Sequence, residues 1–136
     1  MTWLHHPRVA ILAKAAFWLA CAGAVVLALL PMPPHLVIDQ FGDKFEHILA
    51  FSVLSGLAAF AYPRALRWRV AERLSFLGAL IEVAQSIPAL HRDCDIRDWI
   101  ADTLAIVVVT ALAQLLMHRT RPVPRDEVAG DSGSQA

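Results

Sequence analysis

Four apolar runs, each as long as a membrane crossing or close to it, decide most of what this chain can fold into. The first extends from Val9 to Leu30 and is interrupted only by Lys14. At about 1.5 Å per residue it covers roughly 33 Å, enough for the hydrocarbon core of a bilayer. The second runs from Phe45 to Tyr62, with Asp43 and Lys44 at its entrance and Pro63 at its end. The third covers about Leu74 to Leu90, carries Glu82 and Gln85, and has Pro88 near its end. The fourth covers about Ile100 to Met117 and carries Asp102 and Gln114. The last three are short, but a polar turn extends each to bilayer length. The pattern predicts helices over about 9–30, 43–62, 71–90 and 98–117. The fold class expected is therefore all-α, a four-transmembrane-helix bundle in a polytopic membrane protein.

Composition agrees with that reading. Hydrophobic residues make up 57% of the 136 and charged residues 18%, too little polar surface for a water-soluble domain of this size. The formal net charge is zero. There is no zinc spacing, no helix-turn-helix pattern and no interleaving of basic and aromatic residues, so nucleic-acid binding is not expected. A Gly-rich phosphate loop is also missing. A cleaved signal peptide is disfavoured by the length of the first run and by Pro31-Met32-Pro33-Pro34 where a small-residue cleavage site would stand. The faint lipoprotein box Trp18-Leu19-Ala20-Cys21 is followed by more apolar residues, which argues against processing there. Cys21 lies mid-run and Cys94 in a polar loop, so a bridge between them is not expected.

Basic residues of the short loops set the expected orientation. Arg8 and Lys14 flank the first run. Arg64, Arg67, Arg69 and Arg73 fill the middle loop, and Arg119, Arg121 and Arg125 follow the fourth run. The other two loops carry Lys44, Arg92 and Arg97, each offset by acidic residues. Both termini and the middle loop are thus expected in the cytoplasm (N-in/C-in), in a multi-pass protein of the inner (plasma) membrane. Residues 1–8 form the expected cytoplasmic N-terminus, and 118–136, rich in Pro, Gly, Ser and charge, a disordered cytoplasmic tail.

On that topology the polar residues of three helices gather at one depth. Asp43 and His47 are four apart on helix two. Glu82 and Gln85 are three apart on helix three, on a face that Gly78 extends. Asp98 and Asp102 are four apart on helix four. An ionised carboxylate facing lipid at a helix centre costs about 2.5–3.5 kcal/mol, so these groups are expected to face one another or a cleft near the outer leaflet.

Each of these groups also has a plainer reading. His47 with Asp43 suits a general acid/base pair, or a histidine bonded within its own helix at the interface. Glu82 and Gln85 suit a ligand hydroxyl, amide or cation, or serve as interhelical hydrogen-bonding groups worth only about 0.6 kcal/mol each. Arg92 suits a phosphate or carboxylate, or pairs with Asp93, Asp95 or Asp98. Asp98 and Asp102 could join His47 and Glu82 at a hard metal ion, but no compact ligand motif supports one, and Asp98 could instead cap helix four. His91 and Cys94 form a weaker metal pair on a loop. No metal or other cofactor is expected. Trp68 and Trp99 are expected as interface anchors.

The set Asp43-Lys44-x-x-His47-x-x-x-Phe51, Glu82-x-x-Gln85, and Arg92 followed by Asp98-x-x-Ala101-Asp102-Thr103 resembles the VanZ-like membrane proteins over about residues 43–105. This chain has Asp102 where that family often has Asn, and Ala105 where it often has Gly. The resemblance implies a small integral membrane protein of a family named after a contributor to teicoplanin resistance. It implies no settled biochemical activity.

Three functions stay open at this stage. The first is a pocket near the outer leaflet that binds an envelope lipid, a cell-wall precursor or an amphiphilic drug. There Lys44 and Arg92 hold an anionic group, Glu82, Gln85 and His47 fix its orientation, and Asp43, Asp98 and Asp102 complete the lining. The second is an enzyme on a lipid-linked substrate, with His47 and Glu82 as catalytic acid/base groups. The third is proton-coupled transport, for which four helices without an inverted repeat would need oligomers. Membrane lipids and a lipid-linked envelope ligand are the partners expected. The sequence does not set the oligomeric state.

Overall fold

The computed structural model describes residues 7–31, 42–92 and 94–119, and the side chains of Pro7, Asp43, His118 and Arg119 are not among those described. The expected N-terminal segment before Pro7, most of the first loop and the expected tail beyond Arg119 lie outside the described residues. So do the side chains of Asp43 and Asp93.

The described chain is all-helical. Helix α1 covers Pro7–Leu29, α2 Asp43–Ala61, α3 Arg67–Gln85 and α4 Ile96–Arg119, with a 3-10 turn at Pro88–Leu90 between α3 and α4. Three of the four are long and apolar enough to cross a membrane, at Arg8–Leu29, Lys44–Ala61 and Ile96–Met117. Helix α3 is not among them because Arg67, Arg69, Glu72 and Arg73 crowd its first two turns.

Helix α3 also differs in extent from the expected 71–90. It begins four residues earlier and ends at Gln85. The early start follows from Arg67, whose guanidinium donates to the carbonyls of Tyr62 and Pro63 and so satisfies the exposed end of α2. The early end follows from Pro88, which cannot donate to an α-helical ladder, so the chain tightens into the 3-10 turn. His91 then leaves that turn in a left-handed conformation, φ 50°.

Helix α1 runs antiparallel to α2. Its Trp18 indole donates to the Tyr62 hydroxyl at 3.0 Å, and Phe17 meets the Tyr62 ring edge-on at 5.7 Å. Helices α2 and α4 run parallel, with α3 antiparallel to both. Ser75 and Thr103 share a hydroxyl bond of 2.8 Å, and the Trp99 indole donates to the Ser75 carbonyl at 3.0 Å, so α3 and α4 are tied at mid-length. Trp99 therefore faces α3 rather than serving only as an anchor, whereas Trp68 is exposed.

The burial pattern is consistent with a chain whose helices cross a membrane. Ile11, Leu19, Phe76, Val83, Leu104 and Leu116 point outward, while Asp102 is fully buried and Gln85 nearly so. In water the reverse distribution is the stable one. The apolar core is small: Phe17, Phe51, Leu54, Ala58, Ala61, Leu74, Ile81 and Ile106 fill it. Where lipid surrounds a bundle, such a core acts by close packing rather than by expulsion of water.

Candidate functional site

Parallel α2 and α4 bring their first turns together, and antiparallel α3 delivers its last turn to the same end. Each helix has a reason to point its polar groups inward. On α4 the residues Asp98, Asp102, Ile106 and Thr110 recur every four positions, and all four are buried. On α3 the buried face is Leu74, Gly78, Ile81, Glu82 and Gln85. On α2 it includes His47, Phe51, Leu54 and Ser55.

At the centre, His47 Nδ1 lies 3.1 Å from Asp102 Oδ2 and 4.0 Å from Glu82 Oε1. One imidazole nitrogen thus faces carboxylates from two other helices. Gly78 permits this approach. A Cβ added there would meet the Phe51 ring at 3.3 Å, Trp99 at 3.5 Å and Asp102 Oδ2 at 3.7 Å. Glycine at this place lets α3 lie close to the Asp102 carboxylate.

A second layer covers the first. The Lys44 ammonium pairs with buried Asp98 and lies 3.5 Å from half-exposed Asp95. Asp95 caps α4, its Oδ1 accepting from the Arg97 amide at 2.9 Å. Asp98, the alternative cap in the sequence, sits within the first turn of the helix and pairs with Lys44 instead. The Asp95 amide in turn donates to Glu82 Oε2 at 3.0 Å. The loop before α4 is thereby fastened to α3 through a single carboxylate.

That loop has its own electrostatics. The Arg97 amide and the Lys44 ammonium hold the Asp95 carboxyl below its usual range, against some desolvation. Desolvation of the sulfur and the neighbouring Glu82 carboxylate push the Cys94 thiol above its ordinary value. Exposed Cys94 is therefore a weak nucleophile at neutral pH.

Two acceptors at the centre remain without hydrogen bonds among the described residues, Glu82 Oε1 and Asp102 Oδ1. Ser55 Oγ and Thr110 Oγ1 share that condition deeper in the bundle. Leaving a buried polar atom unpaired costs about 1–3 kcal/mol, so such atoms mark places that water or a ligand completes. Among the described residues no group of three or more His, Cys, Asp or Glu side chains is arranged to hold a metal ion.

Of the residues singled out in the sequence, Lys44, His47, Glu82, Asp98 and Asp102 come together. Gln85 does not join them. Its amide donates to the Ala28 carbonyl of α1 at 3.1 Å, on the other side of α3. Arg92 is half-buried in the α3–α4 loop. Asp95 and Cys94 were not expected at the site. The signal for Asp95 was its place immediately before the α4 run, the ordinary position of a helix cap. No family model, no curated protein and no solved structure matches this chain.

Proposed function

We propose that this chain is a four-span, VanZ-like integral membrane protein of the plasma membrane, oriented N-in/C-in, that binds the polar head of an envelope amphiphile between α2, α3 and α4. The observation that carries the reading is the convergence of His47, Glu82 and Asp102 from three helices, buried, with two carboxylate oxygens that accept no hydrogen bond. Buried ionisable groups near the end of a bundle, with an apolar exterior around them, are costly unless something uses them.

The fourth crossing is supported by the outer face of α3. Phe76, Leu80 and Val83 form one exposed apolar line beyond the basic first turns, and exposed Ile87 follows the end of the helix. The orientation is supported by the charge distribution. Arg8, Arg64, Arg69 and Arg73 lie at the end of the bundle opposite the acidic cluster, and basic residues mark the cytoplasmic side. The VanZ-like resemblance rests on a set that includes Lys44, His47, Glu82 and Asp98, which meet at the centre, together with Gln85, which does not, and Arg92 of the α3–α4 loop.

A second reading is favoured by the His47–Asp102 contact, the geometry of a histidine oriented for acid/base work. A lipid-linked substrate would then be cleaved or transferred at this place, with water or a substrate group as attacker. His47→Gln separates the two. The probe is the polar lipid retained by the protein after purification from vesicles of phosphatidylethanolamine and phosphatidylglycerol, read by native mass spectrometry. A binder retains lipid moderately less well as His47→Gln. An enzyme retains it fully and loses turnover. If neither the wild type nor the variant retains lipid above an unrelated four-span protein, the binding reading fails.

A further inference from the structure

We propose that the head group taken by this site is a primary ammonium, so that the ligand class is an amine-bearing amphiphile rather than an anionic one. The inference rests on the pocket reading above and specifies its chemistry.

The acceptors outnumber the donors. Glu82, Asp98 and Asp102 are all at least nine-tenths buried, and half-exposed Asp95 stands at the rim. The cations that meet these carboxylates include the Lys44 ammonium and, when protonated, the His47 ring. Lys44 is committed to Asp98 and Asp95 and so does not serve a ligand anion. His47 Nδ1 is committed to the carboxylates of Asp102 and Glu82. Among the described residues two carboxylate oxygens at the centre accept no hydrogen bond, Asp102 Oδ1 and Glu82 Oε1, the latter 4.0 Å from His47 Nδ1. An added phosphate or carboxylate would meet repulsion there. An added ammonium brings three N–H donors and a positive charge to oxygens that accept no hydrogen bond.

The protein already displays the chemistry it would select. At the mouth of the site Lys44 presents an ammonium to a pair of carboxylates, Asp98 and Asp95. One layer inward, the Glu82 and Asp102 carboxylates, from α3 and α4, both face His47 Nδ1, at 4.0 and 3.1 Å. Half-exposed Lys44 and the loop at Cys94 and Asp95 that Glu82 fastens lie at this end of the bundle. The apolar exterior around this end suits a ligand whose remainder is a hydrocarbon chain.

The test holds chain length fixed and varies the head. Dodecylammonium, dodecyltrimethylammonium and dodecyl phosphate are titrated against the full-length protein in lipid nanodiscs, with chainless ethanolamine as a fourth probe. The expected result is dodecylammonium binding at least tenfold tighter than dodecyl phosphate and severalfold tighter than the trimethyl form. Asp102→Asn and Glu82→Gln should each weaken it about tenfold. The wild-type series stands by itself if either variant fails to fold. Tighter binding of dodecyl phosphate overturns the inference and leaves the pocket reading intact. Equal binding of the trimethyl head overturns the hydrogen-bonding argument. Ethanolamine binding as tightly as dodecylammonium supports ammonium selectivity but overturns the amphiphile reading. No binding by any probe overturns both.

Discussion

His47 on α2 and Asp102 on α4 meet at 3.1 Å in the buried interior, fifty-five residues apart in the chain. Removing the carboxylate strands a buried imidazole nitrogen. Asp102→Ala should therefore destabilise the protein by about 1–3 kcal/mol. Asp102→Asn keeps a polar partner and should cost less than about 1 kcal/mol. Thermal unfolding in detergent compares the two. Equal losses would mean that the contact contributes nothing beyond the volume it fills.

Gly78 gives a second prediction. Alanine brings a methyl to 3.3 Å from the Phe51 ring, a close contact that a small side-chain shift relieves. The gain in helix propensity, about 1 kcal/mol, offsets that strain, so Gly78→Ala should lie within about 1 kcal/mol of the wild type. Gly78→Val has no such room beside Trp99 and Asp102 and should lose about 1–3 kcal/mol. It should also weaken head-group binding, because α3 is pushed away from Asp102.

Gln85 separates structure from site. Its amide holds the Ala28 carbonyl, so Gln85→Leu should lower stability by about 0.5–1.5 kcal/mol through the loss of one hydrogen bond between α1 and α3. Dodecylammonium affinity should change by less than twofold. A large loss of affinity with little loss of stability would return Gln85 to the binding residues.

Cys94 reports on the charge of Glu82. The neighbouring carboxylate and desolvation hold the thiol protonated, and the thiolate is the reactive form. Glu82→Gln removes the negative charge, so the thiol titrates closer to its ordinary value and a larger thiolate fraction is present at pH 7. The rate of iodoacetamide modification at Cys94 should rise. It is measured against Cys21, which is half-buried in α1. An unchanged ratio would mean that Glu82 carries no charge near the sulfur.

Sequence patterning carried the helices and the meeting of His47, Glu82 and Asp102, because residues three or four apart share a helix face and alternating helix direction sets their depth. It did not carry the rotation of α3. Glu82 and Gln85 share a face by spacing, yet one turns to α4 and the other to α1, since a helix wedged between two neighbours splits its polar edge. Nor did it carry the bounds of α3, which depend on Arg67 reaching the end of α2 across the loop. The role of Asp95 was hidden by the choice of Asp98 as the cap, an ambiguity of three residues at a helix start.

The central claim is that the acidic cluster opens to the outside of the cell while the arginine-rich end stays within. Single cysteines at Ala89 and Arg69, both exposed and at opposite ends of the bundle, test it most directly in a background lacking Cys21 and Cys94. An impermeant thiol reagent applied to intact cells should label Ala89→Cys and spare Arg69→Cys until the membrane is opened. Labelling of Arg69→Cys alone would invert the protein, put the cluster in the cytoplasm and contradict an envelope ligand.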